Sequence, residues 1–416
     1  MKKIGMIGIL ILLSAFGIFA SGTKDSPDNS AESSRETIIQ WYQFQIEVAD
    51  QVNAMLKTYS GSHPRIKVEA TILSDPYWDQ LKVRAAASDM PDVFMTDGYN
   101  RIKTYNHYVK DLSSLALTER IVPGAVPAIS LDGRIVGMPV QMSGWGIIYN
   151  KDIFEEAGLE IPATFSELSA VCQALEARGV TPFVNQYKDN WVLGQMFGAV
   201  LGKTENPAGL VDSLKKGTAT LANTAFMLHA LEVLDLTLKY GQKNPLNDGW
   251  NEACTAMGLG KGAMMLEGIW VHDTIKSVNP DINLGLMALP LTDNPEDTKL
   301  SADVNGVYHI LNNGKNEAAA MDMLDWLYAT EEGQDFFKEC GFIPALKGIP
   351  SRLNDVCTDA NQYIQEGKTS IWGWLISPSN FQAESGTVLQ EYILGKYDRS
   401  GTLNALDALW QKLSSN

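Results

Sequence analysis

The first part of the chain alternates between short apolar runs and amphipathic stretches. Residues 37–42 and 91–95 are apolar runs of strand length, and 65–73 alternates strictly between apolar and polar residues. Between these runs, apolar residues recur at helical spacing in 47–60 and in 77–88. The order strand, helix, strand, helix, strand predicts an α/β fold in which helices pack against a parallel sheet.

The loops after these strands are candidate ligand contacts, because open α/β sheets bind ligands outside the carboxyl ends of their strands. The loops contain Tyr42, Gln43 and Phe44, then Ser74 and Asp75, and then residues 97–100 with Asp97 first. We expect them to line one side of a cleft. The alternative is a set of solvated turns, which fits Tyr42 and Phe44 less well because aromatic side chains are uncommon in such turns.

A second landmark lies further along the chain. Asp132 and Gly133 form a tight-turn dipeptide between two runs that can pair as strands. Gly144 and Gly146 then flank Trp145 and leave its backbone free to bend. We interpret this stretch as a segment that leaves one sheet, passes an exposed aromatic side chain and enters another sheet, as a hinge between two lobes would. An ordinary hairpin with a packed tryptophan is the alternative.

The rest of the chain continues the alternation. Helices are predicted at 164–178, 225–240 and 316–328, and strands at 282–289, at 304–311 and within 260–270. Thr164 and Glu167 have the spacing of a capping box. Aromatic side chains fall in three predicted loops, namely Tyr187 and Trp191, then Trp270, then Trp372 and Trp374.

Composition narrows the class of protein. A chain of 416 residues with 45% hydrophobic residues is globular and exceeds what one core usually holds, so two lobes are expected. The formal charge of −16 argues against a nucleic-acid partner and against adhesion to anionic lipid, because both need clustered Lys and Arg.

The N-terminus has the pattern of an export signal. Lys2 and Lys3 precede an apolar run at 4–13 and then small residues, so we expect a signal peptide cleaved near Ala20 to Gly22. Ser21 stands where a lipoprotein would carry its modified cysteine, so that route to a lipid anchor is not expected. The four cysteines are scattered and contain no CxxC pair, which favours buried thiols over a disulfide framework.

The sequence offers little for catalysis. It has no Gly-x-Ser-x-Gly elbow, no complete phosphate loop and no H-x-x-x-H pair, so we expect no metal and no cofactor. A glycosidase would need two carboxylates across a cleft, and Asp97 with Glu267 is the pair that we would suspect. The alternative is that these acids accept hydrogen bonds from sugar hydroxyls without any reaction.

Aromatic residues are abundant, with ten tryptophans and fourteen tyrosines. Flat aromatic side chains stack on the apolar faces of sugar rings, and polar groups around them fix the orientation. Trp145, Trp191, Trp270 and either Trp372 or Trp374 are expected near the cleft. Trp41, Trp78, Trp326 and Trp410 are expected in the core or on helix faces.

Several runs together resemble one family. They are 132–139 (DGRIVGMP), 149–154 (YNKDIF), 157–159 (AGL), 162–168 (PATFSEL), 260–270 (GKGAMMLEGIW), 330–334 (TEEGQ) and 341–345 (GFIPA). In this order they resemble the extracellular solute-binding proteins of bacterial ABC importers, in the maltose- and oligosaccharide-binding group. Phe165 stands where the family more often has Trp, and Asn305 and Gly306 replace a pair of glycines.

The resemblance implies a two-lobed periplasmic-binding-protein fold whose lobes close on a solute. We expect a signal peptide at 1–22, a tether at 23–36, a first lobe at 37–142 and 303–344, a second lobe at 146–300 and 349–416, and hinge crossings at 143–145, 301–302 and 345–348. The implied partners are a carbohydrate and the permease subunits of an ABC transporter, and the protein itself is expected to be a monomer.

The resemblance also assigns roles. Trp270 matches the stacking tryptophan of the family, Asp97 occupies an acid position, and Ser143 stands where some relatives carry a ligand-binding Glu. The full set of expected ligand contacts is Tyr42, Gln43, Phe44, Asp75, Asp97, Ser143, Trp145, Tyr187, Trp191, Glu267, Trp270, Asn305 and Trp372. The alternatives are a binding protein for a polyamine or sugar phosphate and a secreted carbohydrate-active enzyme.

Overall fold

The computed structural model describes residues 36–73 and 76–415. Its strands are β1 (Thr37–Gln43), β2 (Ile66–Ile72), β3 (Val93–Thr96), β4 (Ser130–Leu131), β5 (Arg134–Ile135), β6 (Met138–Asn150), β7 (Met264–Gly268), β8 (Leu284–Met287), β9 (Leu300–Ile310) and β10 (Thr369–Ser370). The predicted strands at 37–42, 65–73 and 91–95 are thereby confirmed. The predicted signal peptide, the tether up to residue 35, Ser74 and Asp75 lie outside the described residues.

The helices alternate with these strands along the chain. They are α1 (Ala49–Ser62), α2 (Tyr77–Ala86), α3 (Tyr99–Thr104), α4 (Val126–Ile129), α5 (Lys151–Ala157), α6 (Phe165–Ala177), α7 (Asn190–Gly202), α8 (Pro207–Lys215), α9 (Leu228–Lys239), α10 (Trp250–Gly258), α11 (His272–Val278), α12 (Glu317–Ala329), α13 (Glu331–Cys340), α14 (Asp355–Gln365), α15 (Gly373–Ile376), α16 (Phe381–Ile393) and α17 (Arg399–Ser414). The predicted capping box is confirmed, since the Thr164 hydroxyl accepts from the Glu167 N–H and the Glu167 carboxylate accepts from the Thr164 N–H.

The main sheet has the strand order β2-β1-β3-β9-β6-β7, with β8 paired to β6 and β10 paired to β9. β1 is parallel to both β2 and β3, as predicted. β9 runs antiparallel to β3 and to β6. The carboxyl ends of β1 and β3 therefore point toward the place where β6 and β9 continue into the rest of the sheet.

One continuous strand replaces the predicted bend around Trp145. The first half of β6 pairs with β9, and its second half pairs with β7 and β8. Trp145 lies inside this strand and has no exposed surface, so the expectation of an exposed aromatic in a loop is wrong. The neighbouring glycines allow close packing rather than a bend, because a Cβ on Gly146 would lie 2.4 Å from the Met287 carbonyl oxygen.

The apolar core follows β6 from one part of the sheet to the other. The strand contributes Met138, Val140, Met142 and Ile148 to one cluster of buried side chains. It contributes Trp145, Ile147 and Tyr149 to a second cluster, which also contains the apolar side chains of α6, α7 and α9. The pair of long strands β6 and β9, the β6–β9 ribbon, thus contacts both clusters.

Candidate functional site

A polar ladder runs along one face of the β6–β9 ribbon. Its opposed pairs are Gln141 with Asn305, Ser143 with Asp303, and Trp145 with Ser301. Residues directly opposite in an antiparallel pair lie on the same face. The other face carries the apolar pairs Met142 with Val304 and Gly144 with Ala302. The ribbon therefore presents hydrogen-bonding groups on one side only.

Asp303 is the centre of this ladder. Its side chain is 2% exposed, and its carboxylate accepts hydrogen bonds from the Tyr99 hydroxyl at 3.0 Å, the Val304 N–H at 2.8 Å and the Trp372 N–H at 3.2 Å. Burial raises its pKa from 3.8 to about 6, while these bonds act in the opposite direction. The sequence analysis placed Asp303 next to the predicted crossing at 301–302 and did not identify it as a site residue.

Four tryptophans form a cluster beside the ladder. The Trp372 and Trp374 rings stack with centroids 4.8 Å apart, Trp270 meets Trp372 edge-on at 5.9 Å, and Trp145 meets Trp374 at 6.3 Å. The Trp372 indole N–H donates to the Ser301 carbonyl at 3.1 Å. Trp270 is the member of the cluster that stays partly exposed. Both Trp372 and Trp374, which the sequence left as alternatives, belong to the cluster.

Glu267 lies beneath this cluster at the end of β7. The side chain has no exposed surface, and its carboxylate accepts from the Gly268 N–H at 3.0 Å and the Gln186 amide at 3.3 Å. Burial raises the pKa of Glu267 to about 8, although these hydrogen bonds lower it. At neutral pH the group is therefore mostly a protonated carboxyl, which can donate a hydrogen bond as well as accept one.

Tyr42 and Gln43, predicted in a loop, are the last two residues of β1. Gln43 is buried, and its side-chain Oε1 accepts hydrogen bonds from the Trp41 indole at 2.8 Å and the Tyr308 hydroxyl at 3.1 Å. Tyr42 is also buried, and its hydroxyl donates to Gln80 at 2.8 Å. The expectation that these two side chains face an open cleft is not met, because both turn into the interior of the fold.

Phe44 and Asp97 remain accessible in part. Phe44 packs against Trp78 with ring centroids 5.2 Å apart, and the Arg101 guanidinium lies 4.0 Å above the Trp78 ring. Arg101 also pairs with Asp97, with Nε 3.3 Å from the carboxylate. Trp78, predicted as a core or helix-face residue, thus lies half-buried between an aromatic and a cation.

Gln45 and Glu47 come shortly after Phe44 in the chain, and the sequence analysis did not identify them as site residues. Gln45 is 1% exposed, and its amide donates to the Asn305 carbonyl at 3.3 Å. Glu47 is exposed, yet desolvation by the surrounding protein, with a contribution from the charge of Asp273, raises its pKa to about 7. The charge of Asp273, on α11, acts on Glu47, so these two acidic side chains lie near each other.

The remaining predicted contacts lie in or against the second apolar cluster and on the ladder. Tyr187 is buried, and its hydroxyl lies 2.6 Å from the Thr237 hydroxyl. Trp191 lies in the first turn of α7, where it is half-buried, so its predicted loop position is wrong. Asn305 is partly exposed on the ladder. The binding roles of all these residues stay predictions.

Several buried polar atoms near the ladder have no hydrogen-bond partner. They are Gln45 Oε1, Ser143 Oγ, Trp145 Nε1 and Gln186 Oε1. Buried polar groups are nearly always satisfied, so an unpartnered set close to one feature indicates a place where a polar ligand could complete the bonding. Among the described residues, no group of three or more His, Cys, Asp and Glu side chains is arranged to hold a metal ion.

A cavity of about 460 Å³ lies away from the ladder and the tryptophan cluster. Its lining includes Thr181, Phe183, Gln242, Thr255 and Lys261. Phe183 pairs with Met264 at the start of β7, so the cavity is at the opposite end of that strand from Glu267 and Trp270. The Gln242 amide in its wall is already bonded to Asn185 and Asp248. We therefore place the candidate site at the ladder, where unpartnered groups and a partly exposed aromatic lie together.

Comparisons with known proteins agree with the architecture. The chain is 22% identical over its whole length to the Multiple sugar-binding protein of Streptococcus mutans serotype c, of which it covers 99%. It is 23% identical to the melibiose/raffinose/stachyose-binding protein MelE of Bacillus subtilis, over 58% of each chain. The solved structure of SBP RafE in complex with raffinose matches 91% of this chain and 100% of its own, with a TM-score of 0.79 at 22% identity.

These likenesses confirm the predicted fold, since the matched structures are solute-binding proteins of the same two-lobed architecture. The described residues contain no helix with both the length and the apolar character needed to cross a membrane. The family model named bacterial extracellular solute-binding protein matches residues 45–334, which is more than half of the chain. The chain therefore belongs to the bacterial extracellular solute-binding protein family.

Proposed function

We propose that the protein captures a mono- or oligosaccharide in a cleft beside the polar ladder and delivers it to the permease of an ABC importer. The observation that carries this proposal is the tryptophan cluster, in which Trp270 is held edge-on against Trp372 and remains partly exposed. Relatives named for multiple sugars and for melibiose, raffinose and stachyose support the same solute class.

The chemistry of a sugar fits these groups. One face of a pyranose ring is apolar and stacks on an indole, while its hydroxyls both donate and accept hydrogen bonds. Near Trp270, the unpartnered Gln186 oxygen can accept a hydrogen bond. On the β1 side, the unpartnered Gln45 oxygen offers a second acceptor.

The lobes would divide at the β6–β9 ribbon, as 37–142 with 303–344 and 146–300 with 349–416. Side chains of both lobes meet at the ladder, so a solute in contact with both would favour the closed form. The exported monomer would then present the closed form to its permease. Export agrees with a family of extracellular proteins.

We further propose that the protein binds its solute without changing it. Glu267 has no exposed surface and Asp97 is paired with Arg101, so this pair of acids does not offer two free carboxyl groups to a glycosidic bond. The same Arg101 is already engaged by Asp97 and Trp78, which disfavours it as a phosphate-binding group.

The test is thermal unfolding of the purified protein with a panel of sugars that includes melibiose, raffinose and stachyose. Polyamines and sugar phosphates serve as controls. A ligand that binds only the folded state raises the unfolding midpoint. We expect an increase with one sugar class and recovery of that sugar unchanged. An increase only with a control compound, or conversion of the sugar to a product, would contradict the proposal.

A further inference from the structure

The start of α3 is hydrogen-bonded to the end of α15. The Asn100 amide donates to the Ile376 carbonyl at 2.9 Å and to the Ser377 carbonyl at 3.1 Å. α3 follows β3 and so belongs with the β1–β3 part of the sheet, whereas α15 packs on α7 in the other part. These bonds therefore connect the two parts away from the β6–β9 ribbon.

The neighbouring residue bonds to the ribbon on its own side of the proposed division, at the residue that also holds Trp372. The Tyr99 hydroxyl donates to both oxygens of Asp303, at 3.0 and 3.1 Å. Tyr99 has a φ of 46°, a left-handed conformation that is unusual for a bulky residue and persists only where surrounding contacts hold it. Gly98 before it has a φ of 85°, and a Cβ there would lie 2.5 Å from the Ala128 carbonyl oxygen. The backbone thus directs Tyr99 toward Asp303 of the ribbon and Asn100 toward the end of α15.

The Tyr99 contact continues into the tryptophan cluster. Asp303 also accepts from the Trp372 N–H, and the Trp372 ring lies between Trp374 and Trp270. A single carboxylate thus receives one bond from each side of the molecule. Movement of Tyr99 away from Asp303 would leave a buried carboxylate with fewer partners, which is unfavourable.

We propose that Tyr99 and Asn100 form a latch that closes this end of the cleft before solute binds and that positions Trp372, and through it Trp270. The proposal rests on the lobes and cleft proposed above. The closed form is then populated without solute. The two latch residues determine the fraction of molecules that is closed. Solute enters from the side of the cleft that the latch leaves free.

The test is small-angle X-ray scattering of the protein without solute. Asn100→Ala removes both bonds to α15, and Tyr99→Phe removes only the hydroxyl that reaches Asp303. Asn223→Ala, at an exposed position, is the matched control. Loss of the two partly buried hydrogen bonds of Asn100 should lower the closed-to-open ratio about tenfold. We expect the radius of gyration to increase in both latch variants. It should stay at the wild-type value in the control.

Hydrogen exchange supplies a second readout. In both latch variants we expect faster exchange of the Trp372 amide, with a circular dichroism spectrum like that of the wild type. Scattering curves that are identical for the wild type and for both variants would overturn the latch. So would a wild-type protein that is already more extended than this structure. Because no solute is present, either result leaves the sugar proposal to be judged separately by the ligand panel.

Discussion

Trp270 is the side chain through which the proposed site meets solvent. Replacement by alanine removes the exposed indole face but leaves the stacked pair of Trp372 and Trp374 in place. We expect Trp270→Ala to weaken solute binding by about 1–2 kcal/mol, the size of one aromatic contact, with little loss of stability. Calorimetric titration with the sugar selected by the panel measures this loss.

Trp270→Phe is the matched control, because it keeps a flat ring at the same position. It should recover most of the affinity. A Trp270→Ala protein that unfolds, or that binds as tightly as the wild type, would show that Trp270 is a core residue and that the site is misplaced.

Glu267 gives the protein a defined dependence on pH. Its folded pKa of about 8 lies above the ordinary value of 4.5, so the folded state holds a proton that the unfolded state releases between these values. The contribution of this group to stability is therefore complete below pH 4.5 and is lost as the pH rises through about 8.

Glu267→Gln keeps the shape of the side chain and removes the titration. We expect its unfolding free energy to decline less between pH 5 and 9 than that of the wild type, with an advantage over the wild type above about pH 8. Glu160→Gln, at an exposed position, should follow the wild-type curve. Parallel curves for Glu267→Gln and the wild type in urea unfolding would contradict the protonated state.

Some residues of the proposed site could be predicted from the sequence, and others could not. Motif matches led to Trp270 and Glu267, and the alternation of Gln141, Ser143 and Trp145 against Ser301, Asp303 and Asn305 could have revealed the ladder. Gln45 had no such signal, because its contact with Asn305 spans 260 positions of the chain. The burial of Tyr42 and Gln43 likewise depends on partners that are remote in sequence.

At the scale of elements, the continuity of β6 depends on its glycines. A Cβ at position 146 would lie 2.4 Å from the Met287 carbonyl oxygen and 3.2 Å from Leu300, so Gly146 keeps β8 and β9 close to β6. We expect Gly146→Ala to lower the unfolding free energy by about 1–3 kcal/mol, as overpacking of an interior does. Urea unfolding measures the difference.

Gly61→Ala is the matched control, since it lies in α1 with nothing within 4 Å of the added Cβ. Alanine is the better helix former, so this variant should gain about 0.5–1 kcal/mol. If Gly146→Ala were as stable as the wild type, the glycine would serve the flexible bend that the sequence first indicated.

Elements with a clear period were the ones that the sequence predicted well. α1, α2 and α6 have one buried stripe each, and all were identified. α7 was not, because it is buried on nearly every side and therefore has no polar face to mark its period. The length of β6 was also hidden, since its pairing passes from β9 to β7 and β8 within one strand.

For the whole molecule, the ordered series of motifs predicted both the family and its two-lobed fold. The lobe boundaries remain a prediction, because the ribbon joins both parts in one sheet and the chain from residue 37 onward forms one compact unit. In the proposed site, the choice of solute would depend on the surroundings of Trp270, which come from segments as far apart in the chain as β7 and α15.

The central claim is that this molecule binds an intact carbohydrate beside the tryptophan cluster. Isothermal titration calorimetry of the purified protein with raffinose, stachyose and the other panel sugars tests it most directly. We expect saturable binding of one sugar per chain with a dissociation constant near 1 μM or below, which is roughly −8 kcal/mol or stronger. Saturable binding of a polyamine or a sugar phosphate, together with no heat from any sugar, would contradict it.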